Sequence, residues 1–239
     1  MELIAHRGVH DVFTENTIDA FQRAIDLGFA AVELDVHATA DGIVVVHHDE
    51  SVVTPRVTLS IRGTYFDTLH EAAPLVPRLE DALSLLAGRA RAYVEIKGTG
   101  IEHEVARVLQ ATSCDVAVHS FDHDSVRRVT ELVPGIRAGI LQTSRLVDSL
   151  HALRAANATD LWQWHEFVDR RLVDEIAAGG GRVIAWTANT PGEWRVFRDL
   201  GVAGVCTDVP VSPPLAAELS SPPSSSPSTP RSPSLDATF

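Results

Sequence analysis

Two carboxylates stand two positions apart at Glu33 and Asp35, and a carboxylate and an ammonium repeat that spacing at Glu95 and Lys97. On an extended strand such a pair shares one face with Cβ atoms roughly 6 to 7 Å apart, a separation from which both carboxylates of the first pair reach one hard cation. Carboxylates aimed together without a cation repel and lose hydration, so the pattern asks for positive charge. Either pair alone is explained by a solvated rim; both at neighbouring strand ends favour a metal. Oxygen ligands, with no cysteine or paired-histidine spacing beside them, favour Mg2+ or Ca2+ over Zn2+.

His6-Arg7-Gly8 adds a planar fork for phosphate oxygens at Arg7 and a glycine that lets backbone approach a ligand. His6 and His48, set across a mouth that also holds a cation, are the minimum for cleaving a phosphodiester: one takes a proton and the other gives one. A lone histidine at a strand end is more often structural, and His119 and His165 are read that way. Asn16 reads as an ordinary helix N-cap, Glu15 beside it is a candidate substrate contact, and Trp186 either walls the pocket or fills the interior.

These residues need a frame. Short apolar runs at 2–5, 31–36, 92–96, 115–119, 136–141, 160–164, 182–187 and 203–206 alternate with helical patterns after residues 14, 100, 123, 143, 168 and 190. Alternation implies a parallel sheet, and eight units in about 210 residues predict a (β/α)8 TIM barrel rather than an open doubly wound sheet. Active sites of such barrels lie at the C-terminal ends of the strands, where the residues above fall. Residues 43–48 follow the second strand too soon for a parallel crossover, so a hairpin centred on Asp41-Gly42 is predicted, setting His48 across from Glu33. From Asp49 to about Pro77 the periodicity is weak, which predicts a small irregular insertion over the mouth.

A chain of 239 residues with 45% apolar and 22% charged residues buries one core, placed at 1–211; the Ser/Pro-rich stretch 212–239 is predicted to be a disordered tail. A net charge of -12 repels nucleic acid and anionic lipid, which argues against a nuclease. Cys114 and Cys206 fit no ligand spacing and read as small buried residues. With no leader pattern after Met1 and no apolar run long enough to span a bilayer, the expectation is a cytoplasmic protein without an integral membrane segment. The oligomeric state is left open.

His6-Arg7-Gly8, Thr14-Glu15-Asn16-Thr17, Glu33-Leu34-Asp35-Val36, Asp41-Gly42, His48-Asp49, Glu95-Ile96-Lys97, Ser120-Phe121, Trp186-Thr187-Ala188-Asn189 and Thr207-Asp208 stand in the order seen in the glycerophosphodiester phosphodiesterase family, which this chain resembles over nearly the whole barrel. The resemblance implies a (β/α)8 barrel with a small insertion, one divalent cation on Glu33, Asp35 and Glu95, His6 and His48 as the acid-base pair, and Arg7 and Lys97 on phosphate. It implies a small glycerophosphodiester as substrate, released as glycerol 3-phosphate and an alcohol. Glu50-Ser51-Val52-Val53-Thr54-Pro55-Arg56 departs from the family's usual Leu-x-Arg-Thr-Thr, and Thr14 stands where Pro is common; head-group preference therefore does not carry over. The rivals are a lysophospholipase D or sphingomyelinase D-like phosphodiesterase, and a phosphate-binding barrel without catalysis, which would be expected to lose one of the five metal and histidine positions.

Overall fold

Runs that are apolar on both faces can only be strands covered on both sides, and the eight runs are such strands in the computed structural model, which describes residues 1–221. Along the chain come β1 (Glu2–Ala5), α1 (Ile18–Asp26), β2 (Ala31–Ala38), β3 (Val44–Val46), β4 (Ser51–Val53), β5 (Thr58–Ser60), α2 (Phe66–Ala72), α3 (Leu79–Leu86), β6 (Arg91–Ile96), α4 (Glu102–Ala111) and β7 (Val116–Ser120). They are followed by α5 (His123–Leu132), β8 (Arg137–Gln142), α6 (Ser149–Ala155), β9 (Asp160–Trp164), α7 (Arg170–Ala178), β10 (Arg182–Trp186), α8 (Pro191–Leu200), β11 (Gly204–Thr207) and α9 (Pro213–Ser220). Strands β1, β2 and β6 to β11 pair in parallel around a ring, and Ala5 beside Thr207 closes it. The chain is therefore a (β/α)8 barrel.

Strand alternation separates two apolar layers. Outward side chains such as Leu34, Val94 and Val118 pack against Phe21, Leu83 and Val105 of the surrounding helices. Inward, one residue from each of the eight barrel strands forms a plug: Ile4, Ala31, Tyr93, Ala117, Leu141, Trp162, Ile184 and Cys206. Gly139 makes room for it, because a Cβ there would stand 2.8 Å from Trp162 Cδ1. Side-chain caps start the helices just past the strand ends, with Asp122, Asp148 and Asp169 accepting from backbone amides and Thr190 forming a capping box with Glu193.

Three local readings are corrected. The β2–β3 hairpin exists, but Val36 pairs with Val46 and the His47 amide donates to the Asp35 carbonyl, so His48 falls one residue short of facing Glu33. The insertion is not irregular: β4, β5 and α2 enclose a small core of Val45, Val52, Ile61, Phe66, Leu69 and Val76. Its strands have three residues each and its helix seven, too few for periodicity to register. The tail does not begin at 212, because Pro213–Ser220 is helical, buries Leu219 and joins Glu218 to Arg195 and Arg198 of α8; residues 222–239 lie outside the described residues. Helix α3 likewise went unanticipated. Among the described residues no helix is long and apolar enough to cross a membrane.

Candidate active site

Two residues beyond the plug, side chains return to the inner face, and there the composition changes from apolar to polar. That layer holds His6, Glu33, Glu95, His119, Trp164 and Trp186, with Asp208 just past β11; one step higher come Asp35, Lys97 and Phe121. Asp35 pairs in register with Glu95, and Glu95 with His119. A cavity of about 150 Å³ opens at this level, walled by His6, Arg7, Glu33, His48, Glu95, Lys97, His119, Phe121 and Trp186 over a floor of Leu141, Trp162 and Cys206.

The carboxylates at its centre are buried, with 1% exposure at Glu33, 0% at Asp35 and 6% at Glu95. Burial, then the neighbouring Asp35 charge, pushes the Glu33 carboxyl up to about 7. Burial and the Glu33 charge do the same at Glu95, also to about 7. Asp35 is different: burial alone would raise it, but Lys97 Nζ at 3.5 Å, Arg7 Nε at 3.2 Å and the Asn16 amide, donating at 2.8 Å, bring it below the ordinary carboxylate range. Lys97 Nζ also stands 2.8 Å from Glu95 Oε1. Glu33 Oε1 and Asp35 Oδ1 are buried without a hydrogen-bond partner, and Glu95 Oε1 is engaged by Lys97 alone. Unpartnered carboxylate oxygens converging in a low-dielectric site are what a divalent cation would satisfy, so the residues fit one. Donor atoms of Glu33, Glu95 and His119 lie within 4.8 Å of one another.

Arg7 follows β1 with φ +56°, a left-handed backbone that few side chains adopt, and this turns its amide onto Glu33 Oε2 at 3.2 Å and its guanidinium onto Glu15 at 2.9 Å. Gly8 is not among the residues that line the cavity. With φ +80° it packs on α1, where a Cβ would meet the Ala20 carbonyl carbon at 2.7 Å. His6 is held at Nδ1 by Asp208 Oδ1, 2.6 Å away, and its Nε2 lies 3.9 Å from Glu33 Oε2. Burial works against a charged His6, but the Asp208 bond and the Glu33 charge prevail and raise its pKa. Asp208, which burial would raise, is brought down to about 2 by His6 and Asn189. His48 Nδ1 contacts Asp49 Oδ1 at 2.7 Å. Trp186 meets Phe121 and Trp164 edge to face at 5.5 and 5.3 Å, forming one wall of the cavity.

All nine anticipated residues thus stand at the mouth, eight of them around this cavity or in its carboxylate cluster and Glu15 joined to it through Arg7. Three others were missed. His119, read as structural, faces the carboxylates; its proximity to Glu95 comes from strand register and has no local signature. Asn16 is not the N-cap, which is Thr17; it is buried at φ +58°, and its amide both donates to Asp35 Oδ2 and accepts from the Asp35 backbone N–H. Asp208, visible only within the Thr207-Asp208 pair, orients His6. His165, by contrast, pairs with Glu193 away from the cluster.

The profile of the glycerophosphoryl diester phosphodiesterase family matches residues 6–212. A glycerophosphodiester phosphodiesterase of Caldanaerobacter subterraneus subsp. tengcongensis is 30% identical over 231 residues, covering 87% of this chain and 94% of that one. In fold, the chain resembles an Oleispira antarctica phosphodiesterase solved in complex with the product sn-glycerol-3-phosphate, with TM-score 0.83, 24% identity and coverage of 91% and 97%. A glycerophosphodiester phosphodiesterase from Thermotoga maritima gives TM-score 0.76 at 25% identity, covering 86% of this chain and 93% of that one.

Proposed function

Because the chain belongs to the glycerophosphoryl diester phosphodiesterase family, we propose that it hydrolyses small glycerophosphodiesters to glycerol 3-phosphate and an alcohol, using one divalent cation and two histidines. It is an enzyme of the glycerophosphodiester phosphodiesterase class. The observation that carries the finer reading is the convergence of three buried carboxylates, with Glu33 Oε1 and Asp35 Oδ1 unpartnered and Glu95 Oε1 engaged by Lys97 alone, beneath two cationic side chains.

Glu33, Asp35 and Glu95 would hold the cation, and when bound it supplies positive charge against the charge that develops on the phosphoryl oxygens. Arg7 and Lys97 add charge-assisted hydrogen bonds to the remaining oxygens and fix the phosphate in the mouth. His6 and His48 each have Nδ1 engaged by a carboxylate, Asp208 and Asp49, which leaves Nε2 to exchange a proton with substrate. One takes the proton of the attacking hydroxyl, from water or from the glycerol itself by way of a cyclic phosphate, and the other donates to the departing alcohol oxygen. Trp186 and Phe121 present apolar faces to the carbon skeleton, and Glu15 holds the Arg7 fork in place.

The deciding assay is release of glycerol 3-phosphate from glycerophosphocholine by EDTA-treated protein with single cations added back. Restored turnover supports the reading; none with any cation refutes it. His6→Ala and His48→Ala should each lose roughly 10²- to 10⁴-fold in turnover while remaining folded. A p-nitrophenyl leaving group, which needs no protonation, should rescue one of the two variants and not the other. Equal rescue of both would rule out separate donor and acceptor roles.

A second substrate, a lysophospholipid cleaved by the same chemistry, is favoured by one feature. Val12, Phe13, Val53 and Leu75 are exposed on the loops and insertion over the mouth, beside a groove of about 380 Å³ lined by Val52, Val53 and Leu75. Comparing turnover on micellar and soluble substrates separates the two.

A further inference from the structure

An imidazole in the inner wall has no role in the proton transfers. His119 is 1% exposed and clamped by aromatic rings: it lies parallel to Trp162 with centroids 4.1 Å apart and meets Tyr93 edge to face at 6.3 Å. The clamp fixes the ring plane. Nε2 lies 3.6 Å from Glu33 Oε1, too far for a hydrogen bond, and neither that oxygen nor His119 Nδ1 has another partner. A buried nitrogen set beside two carboxylate oxygens, bonded to neither, leaves three donor atoms around one point. Sharing a cation is the arrangement that satisfies all three.

We propose that His119 is a nitrogen ligand of the cation held by the carboxylates, and that it turns the site from Mg2+ or Ca2+ toward Mn2+, Co2+ or Zn2+. This rests on the cation reading given above. The expectation of a hard cation depended on an all-oxygen donor set. An imidazole removes that premise, because nitrogen donors bind first-row transition ions far better than they bind Mg2+ or Ca2+. Trp162 and Tyr93 then act as positioning residues, holding the ring in the plane that ligation needs.

The test uses full-length protein freed of metal with EDTA and loaded with Mn2+. Pulsed electron paramagnetic resonance of the loaded wild type should show nitrogen hyperfine coupling, and His119→Gln should lose it. Competition titrations should show the preference for Mn2+ over Mg2+ falling at least about tenfold in H119Q. The H6Q/H48Q double variant, which leaves His119 as the one histidine lining the cavity among the described residues, should retain the coupling; it keeps the test open if H119Q does not fold. Bound Mn2+ without nitrogen coupling in the wild type, or an unchanged preference in H119Q, overturns the assignment and leaves the carboxylate site standing. Failure to bind either Mn2+ or Mg2+ overturns the cation reading itself.

Discussion

His6 Nδ1 and Asp208 Oδ1 lie 2.6 Å apart across the seam where the last barrel strand meets the first, and Asn189 Nδ2 donates to the other Asp208 oxygen at 2.9 Å. The carboxylate selects the tautomer with Nδ1 protonated and leaves Nε2 facing the cavity, while its charge stabilises the imidazolium. Asp208→Asn keeps the shape and removes that charge. The His6 pKa should fall, as followed by NMR of the ring protons, and turnover should drop by roughly 10²-fold. An unchanged His6 titration would show that Asp208 does not set its basicity.

Asn16 supports Asp35 from below with two hydrogen bonds while its own backbone sits at φ +58°. Asn16→Gly tolerates that backbone and removes only the bonds, at a cost of about 1 to 3 kcal/mol. Asn16→Ala adds the strain of a left-handed backbone, about a further 1 kcal/mol. Urea midpoints should therefore rank wild type above N16G and N16G above N16A. Equal stability of N16G and wild type would mean that Asp35 finds another donor.

The barrel was legible because each of its strands is an apolar run and each turn carries its own breaker, both local signals. The Glu33-Asp35 and Glu95-Lys97 pairs were legible for the same reason, since two-residue spacing on a strand decides which side chains share a face. What escaped depends on register between segments far apart. His119 acquires meaning only when β7 is set beside β6, and Asp208 only when the ring closes on His6. Asn16 was misplaced by one position, because Asn and Thr both cap helices well and only the structure shows Thr17 accepting from the Ala20 amide. The insertion hid its order in elements too short to show a period.

Acidity should expose the cost of the carboxylate cluster. Glu33 and Glu95 both rise from an ordinary 4.5 to about 7 on folding without a cation. Groups raised in the folded state contribute stability that is full below the unfolded value and lost as pH climbs through the folded one. Metal-free protein should thus lose thermal stability from about pH 5 to 8. His119, pulled down to about 4 by burial, acts in the opposite sense, withdrawing stability as pH falls below its unfolded value of 6.5. The melting temperature in EDTA should decline above pH 6.5, and a divalent cation should restore it most at the alkaline end. A flat profile between pH 6.5 and 8 in EDTA would contradict the burial and repulsion that raise both carboxyls.

Removing one charge separates binding from folding. Glu95 is 6% exposed, and its carboxyl is raised by burial and by Glu33, while Lys97 Nζ at 2.8 Å compensates it in part. Glu95→Gln retains the shape, ends the repulsion with Glu33, and leaves Lys97 with Asp35 at 3.5 Å. In EDTA at pH 8 the variant should be more stable than wild type by about 1 to 2 kcal/mol, because a buried charge that is poorly paired costs more than the neutral isostere. With saturating cation the order should reverse, since the wild type gains binding energy that the variant has lost with its ligand. Denaturant melts of both proteins with and without cation read the two effects separately. If E95Q proves the less stable protein in EDTA, the Glu95 carboxylate serves first to neutralise Lys97; if saturating cation stabilises both proteins equally, its place among the cation ligands would have to be given up.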